Sequence, residues 1–149
     1  MKMSKRVSYG ILVAVDLAIH ANDAPIQAKA VSKRQGIPLR FLEQVLHTMK
    51  NAGLVESHRG AQGGYLLSRK PVDLSLAAIF ESLEGPVFHR SGVSPLPRHR
   101  HMGKSDLLLG DVCDQLQQAE RKVLESITVE QLAARQRLED AQRSPMYHI

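Results

Sequence analysis

Apolar residues recur at three- and four-residue spacing along three stretches of this chain, and a short strand-like pair of segments interrupts them once. From Ser4 to Ala21, Val7, Ile11, Leu12, Val15 and Ile19 form a stripe that predicts a first helix capped by Ser4. Asn22-Asp23-Ala24-Pro25 reads as a turn, and Gln27 to Gln35 as a short helix ended by Gly36. Beyond Ile37-Pro38 a helix starts at Leu39. Leu42, Val45, Leu46 and Met49 make its buried stripe, which leaves Arg40, Glu43, Gln44, His47 and Lys50 on the opposite face. Gly53 stops that helix, because glycine takes the left-handed closing conformation without a Cβ penalty. Leu54-Val55 then starts a strand, Gly60 to Gly64 makes a loose tip, and Tyr65-Leu66-Leu67 returns.

The second half repeats the helical pattern with different spacing. After a break at Lys70-Pro71, Ser75 caps a short helix from Leu76 to Glu84, closed by Gly85-Pro86. Pro86 to Lys104, with its prolines, glycines and the string RHRH, predicts a flexible loop. A long helix opens at Ser105 and runs to about Ser126. Its seam of Leu109, Val112, Leu116, Ala119 and Val123, continued by Ile127, is narrow and suits packing against another long helix. Thr128 and Gln131 match a capping box for a last helix to about Gln142, and the tail at 143–149 should fray. The expected fold class is mostly α with a small β-wing. A winged helix-turn-helix occupies 1–86, a variable loop 87–104, and the dimerisation helix with the C-terminal helix 105–142.

Helix, glycine-containing turn, polar-faced helix and short basic wing together outline a DNA reader. Charge changes the picture in its favour. Residues 1–70 hold 11 Lys/Arg against 4 Asp/Glu, whereas residues 71–149 hold 9 against 11. Phosphate neutralisation supplies most non-specific DNA affinity, so the positive excess sits in the half that needs it. A solubilising basic surface is the alternative on charge alone. In the major groove Arg40 could pair with guanine, Glu43 could accept from cytosine N4 and Gln44 could read adenine. His47 and Lys50 would reach phosphate. For each of these side chains an ordinary solvated helix face is the competing reading. Arg59 beside the Gly60–Gly64 tip suits the minor groove, where narrow A·T tracts deepen the negative potential.

Other function classes find less support. There is no Ser/His/Asp arrangement and no pair of carboxylates on one face, so no enzyme is expected. GAQGGY lacks the GK[ST] ending of a phosphate-cradling loop and joins two strands. No apolar run approaches the roughly 18 residues of a membrane span, no signal-peptide pattern opens the chain, and one cysteine excludes an internal disulfide framework. A cytosolic protein without membrane partners is expected. A winged-helix module for protein contacts remains the alternative to a DNA reader, separable by the salt dependence of duplex binding.

The strings SKRVSYGILVAVDLA, KRQGIPLRFLEQVLHTMKNAGLVESHRGAQGGYLLSR and LSLAAIFESLEGP, resumed at the long helix and ITVEQLA, resemble the IscR/NsrR/CymR family of bacterial transcription regulators, the Rrf type. The resemblance implies a homodimeric winged-helix repressor or activator, with repression the expected sense, on a pseudo-palindromic double-stranded operator. It implies that Glu43 and Arg59 match base- and minor-groove-contacting positions, with Phe41 near the phosphate backbone and Gly60, Gly63 and Gly64 in the wing. Arg40 departs from the small polar residue that relatives often carry there. The dimer seam would be Leu109, Val112, Leu116 and Val123.

Many members of the family hold an iron–sulfur cluster on three cysteines before the long helix, some with an acidic residue or His from the first helix. Here no Cys lies between Pro86 and Leu109, Cys113 is inside the long helix, and Ser8 and Leu12 stand at the first-helix positions. A cluster needs about four thiolate or imidazole ligands, so no cofactor is expected. The alternative is a redox- or metal-responsive regulator sensing through Cys113 with His89, His99 and His101. Against it stand the ordinary roles of a small buried thiol and a solvated basic loop.

Overall fold

Ser4 caps the first helix, α1 (Lys5–His20): its hydroxyl accepts from the Val7 N–H at 3.2 Å and donates to the Glu84 carboxylate. The computed structural model describes residues 3–85 and 104–144, with side chains left out at 104–106. After α1 come α2 (Ala28–Gln35), α3 (Leu39–Asn51), β1 (Val55–His58) and β2 (Gly64–Leu67). A 3-10 turn at Pro71–Asp73 follows, then α4 (Leu76–Glu84), α5 (Lys104–Ser126) and α6 (Val129–Arg143). The strands pair antiparallel, with Val55 opposite Leu67 and His58 opposite Gly64. This is the helical fold with a two-stranded wing that the periodicity predicts. The loop and tail expectations at 87–103 and 145–149 lie outside the described residues.

α1 is the central helix, packed against α2, α3, α4 and α6. Its buried face differs from the predicted stripe. Val7, Gly10, Val13, Ala14, Asp16 and Leu17 are buried, whereas Leu12 is 40% exposed and Ile11, Val15 and Ile19 are only half-buried. Of the predicted stripe Val7 is buried and Ile11 and Val15 pack against the edge of the core, whereas choosing the largest apolar residues missed the small and charged ones at its centre. Gly10 faces inward because α4 comes close: a Cβ there would run into the side chains of Leu83 and Ile79. Phe80, Ile79, Leu42, Leu46, Met49, Ile37 and Leu74 complete a core of fully buried side chains. Each contributes about 1.5–3 kcal/mol relative to exposure.

Asp16 is the one buried charged residue among those described. Arg34 of α2 grips it with two hydrogen bonds, Nε to Oδ2 at 3.0 Å and Nη2 to Oδ1 at 2.7 Å. The Gln35 amide donates to Oδ2 at 2.8 Å. The carboxylate holds the Arg34 guanidinium above its ordinary pKa, through the hydrogen bond first and charge attraction second. This pair fixes the first helix of the helix-turn-helix against α1.

α6 returns to α1. The Thr128 hydroxyl accepts from the Gln131 N–H at 3.3 Å while the Gln131 side chain accepts from the Thr128 N–H at 3.1 Å, the predicted capping box. Arg137 bridges Glu130 at 3.0 Å and the Ala18 carbonyl at 3.3 Å. Two backbone hydrogen bonds, Leu76 N–H to Ile127 carbonyl at 2.9 Å and Val129 N–H to Leu74 carbonyl at 2.8 Å, tie the α5–α6 corner to the start of α4. Among the described side chains of α5 only Leu124 is buried. Cys113, Gln117, Glu120 and Arg121 are half-buried on that same side, and Leu109, Val112, Leu116, Ala119 and Val123 face outward.

Candidate nucleic-acid interface

The interface begins with a stiff turn. Gly36 closes α2 in the left-handed region at φ 65°, and the Ile37 N–H donates to the Ser32 carbonyl at 3.2 Å. The Ser32 hydroxyl returns a bond to the Ile37 carbonyl at 2.6 Å. Ile37 itself is buried, so the α2–α3 angle is pinned by packing and by two hydrogen bonds. α3 then starts at Leu39, with Pro38 just before its first turn, where the missing N–H costs nothing.

Leu42, Val45, Leu46 and Met49 are all buried, as the spacing predicts. The register that buries them turns Arg40, Glu43, Gln44, His47 and Lys50 outward, and all five are exposed. Arg40, Glu43, Gln44 and His47 line a shallow concavity of about 560 Å³, together with Phe41 and with Arg6 from α1. Phe41 is 40% exposed and stands edge-on to Tyr9, ring centroids 5.4 Å apart at 81°. The Asn51 amide lies 3.2 Å from His47 Nε2.

The wing is anchored at its base and open at its tip. Ile26, just before α2, pairs with Tyr65: N–H to carbonyl at 3.0 Å one way and 2.8 Å the other. Gly64 lets that third segment approach, since a Cβ there would overlap the Ile26 backbone. Gly63 is buried in the tip, and its N–H donates to the Gly60 carbonyl at 3.0 Å. Arg59, Gly60, Ala61 and Gln62 are the exposed part. Of the wing positions singled out in the sequence, Gly63 and Gly64 therefore shape the hairpin, and Arg59 and Gly60 project from it.

Gly63→Ala is expected to weaken duplex binding by about tenfold, or about 1.4 kcal/mol, with the melting temperature little changed. The added Cβ would collide with the His58 and Gly60 carbonyl oxygens and re-aim Arg59, while the core lies elsewhere. Fluorescence anisotropy beside thermal melting checks it. Undiminished binding would place the wing outside the interface.

A polar helix edge and a basic flap mounted on one rigid frame match what comparison with known proteins finds. The family Rrf2, described as iron-dependent transcriptional regulators, matches residues 3–135. The chain belongs to the Rrf2 family. It is 33% identical over 134 residues to the HTH-type transcriptional regulator CymR of Bacillus subtilis, which covers 90% of this chain and 91% of that one. The solved structure of CymR, the global cysteine regulator of B. subtilis, superposes with TM-score 0.72 at 30% identity over 90% of this chain and 97% of that one. T. potens IscR gives TM-score 0.73 at 31% identity, covering 100% of this chain and 94% of its own. This Rrf2-family chain is a DNA-binding transcriptional regulator.

The family's iron finds a poor donor set here. The whole sequence of this Rrf2-family member holds one cysteine, and among the described residues no three His, Cys, Asp or Glu side chains converge on a point that could hold a metal. Ser8, which the resemblance puts at a first-helix ligand position, donates its hydroxyl to the Ser4 carbonyl at 3.0 Å inside α1. A thiolate-ligated iron–sulfur cluster does not fit these residues. Cys113 sits half-buried on the inward side of α5 and not on the outward seam. His89, His99 and His101 lie outside the described residues. No described helix is long and apolar enough to cross a membrane.

Proposed function

We propose that this Rrf2-family regulator works in the cytosol as a homodimer that represses transcription from a pseudo-palindromic operator. Each α3 enters a major groove, where Arg40 pairs with guanine, Glu43 accepts from cytosine N4 and Gln44 reads adenine. Phe41, His47 and Lys50 lie along the phosphate wall. Arg59 and the Gly60 turn enter the neighbouring minor groove.

The observation that carries this reading is the exposed polar edge of α3, locked by four buried residues beneath it and flanked by the Arg59 tip. Rigid mounting matters because base hydrogen bonds tolerate little misplacement. The outward stripe on α5 supports a twofold partner. Two recognition helices must fall about 34 Å apart to enter successive major grooves, and a long paired helix can set that distance.

Selection of preferred sites from a random duplex pool tests the reading. Glu43→Ala is expected to relax preference at one base pair per half-site, a loss of about 1–3 kcal/mol of discrimination. Arg59→Ala is expected to lower affinity most on sites with A·T-rich flanks. Unchanged site preference in the first variant together with unchanged affinity in the second would overturn it.

A further inference from the structure

Arg6, which lies on α1 and not on α2, α3 or the wing, is placed where its charge does nothing for its own helix. It stands in the first turn of α1, next to Lys5, and no acidic residue occupies that turn. The helix dipole disfavours cations at this end. Among the described residues Arg6 makes no ion pair. Its hydrogen-bond partner is a neutral hydroxyl, Thr48 Oγ1 of α3, at 2.7 Å from Nη2. Thr48 in turn donates to the Gln44 carbonyl at 3.1 Å, so its oxygen is oriented to accept.

That tether draws the guanidinium across from α1 to the exposed side of α3. There it lines the same concavity as Arg40, Gln44 and His47. A guanidinium has five N–H donors in a fixed fork, and one hydroxyl leaves most of them for a further acceptor. The Tyr9–Phe41 edge contact holds the two helices together beside it. With α3 in a major groove, what borders it is the sugar–phosphate backbone.

We propose that Arg6 is a phosphate clamp: held by Thr48, it grips a backbone phosphate beside α3 and fixes the depth and register at which that helix reads bases. This rests on the groove-reading role of α3 given above. A phosphate contact carries no sequence information, so its signature differs from that of Glu43.

The test measures Kd of the full chain against salt, on a selected site and on a scrambled duplex. Arg6→Met is expected to weaken both duplexes by the same factor and to make the log–log salt slope shallower by about 0.9 for each Arg6 that engages. Arg6→Lys should keep the slope while losing part of the affinity, since the charge stays and the fork goes. Thr48→Val should likewise keep the slope, with a smaller loss, because only the tether is removed. Circular dichroism and melting should be unchanged in both Arg6 variants, as Arg6 is exposed. A wild-type slope in Arg6→Met, with Glu43→Ala still relaxing site preference, would overturn the clamp and leave the reading of α3 standing. Indifference of both variants would remove that reading as well.

Discussion

Replacing Arg34 with methionine is expected to lower the free energy of unfolding by about 3 kcal/mol, the low end for breaking a buried ion pair. The Asp16 side chain has 0% exposure, and Arg34 supplies both a charge and two of its hydrogen bonds. Without the guanidinium the carboxylate keeps the Gln35 amide at 2.8 Å and the His20 ring at 3.8 Å. One neutral donor cannot replace the hydration lost on burial. The effect sits at the low end because the Arg34 side chain is 35% exposed, so water screens part of the pair. Urea titration at fixed protein concentration reads the change. Pairing Arg34→Met with Asp16→Leu is expected to recover most of the loss, since an apolar pair of similar size needs no counter-charge. A single-variant loss under 1 kcal/mol would show that the network contributes little. DNA binding should fall with stability, because the pair sets where α2 holds the turn that aims α3.

That network also shows where a sequence stops being legible. Local signals placed most elements: Ser75 before α4, the Thr128–Gln131 box before α6 and Gly53 after α3 stand where the structure uses them. Each depends on neighbours within four residues. The α3 face was legible for the same reason, since three- and four-residue spacing alone decides which side meets the core. The face of α1 was legible only in part, through Val7 and the core-edge Ile11 and Val15. Asp16 is buried because of Arg34, 18 positions away, and Gly10 because of Leu83 and Ile79 on α4. Periodicity weighs hydrophobic size and cannot see either partner, so it favoured Leu12. The Ile26–Tyr65 pairing at the base of the wing has the same origin. So does Arg6, which meets Thr48 across 42 positions of chain. Of α5, the outward seam followed from spacing. Leu124 as its anchor to the core did not, because one more leucine in an amphipathic helix carries no address.

Leu116→Glu is expected to turn the protein into a folded monomer with about 10²–10⁴-fold weaker affinity for a two-half-site operator. Within one chain the Leu116 side chain is 65% exposed, so its replacement removes little packing from its own fold. Leu109, Val112 and Val123 lie on the same outward stripe, each more than half exposed. The helix of 23 residues is about 34 Å long at 1.5 Å per residue, enough to carry a continuous seam. In the proposed homodimer this stripe is the surface that the partner covers. A carboxylate buried in the middle of that seam finds no counter-charge in a twofold pairing, where its closest mate is its own copy. Sedimentation should then report half the wild-type mass, with the circular dichroism spectrum of a folded chain and a melting temperature that no longer depends on protein concentration. Affinity for an isolated half-site should stay at the wild-type value, because α3, the wing and Arg6 all belong to one chain. The loss on the full operator is the loss of linkage: two half-sites bound as one unit become two separate events. A Leu116→Glu protein that sediments as a tight dimer would move the partner surface off this seam. A monomer that still bound the full operator at wild-type strength would show that one lobe suffices.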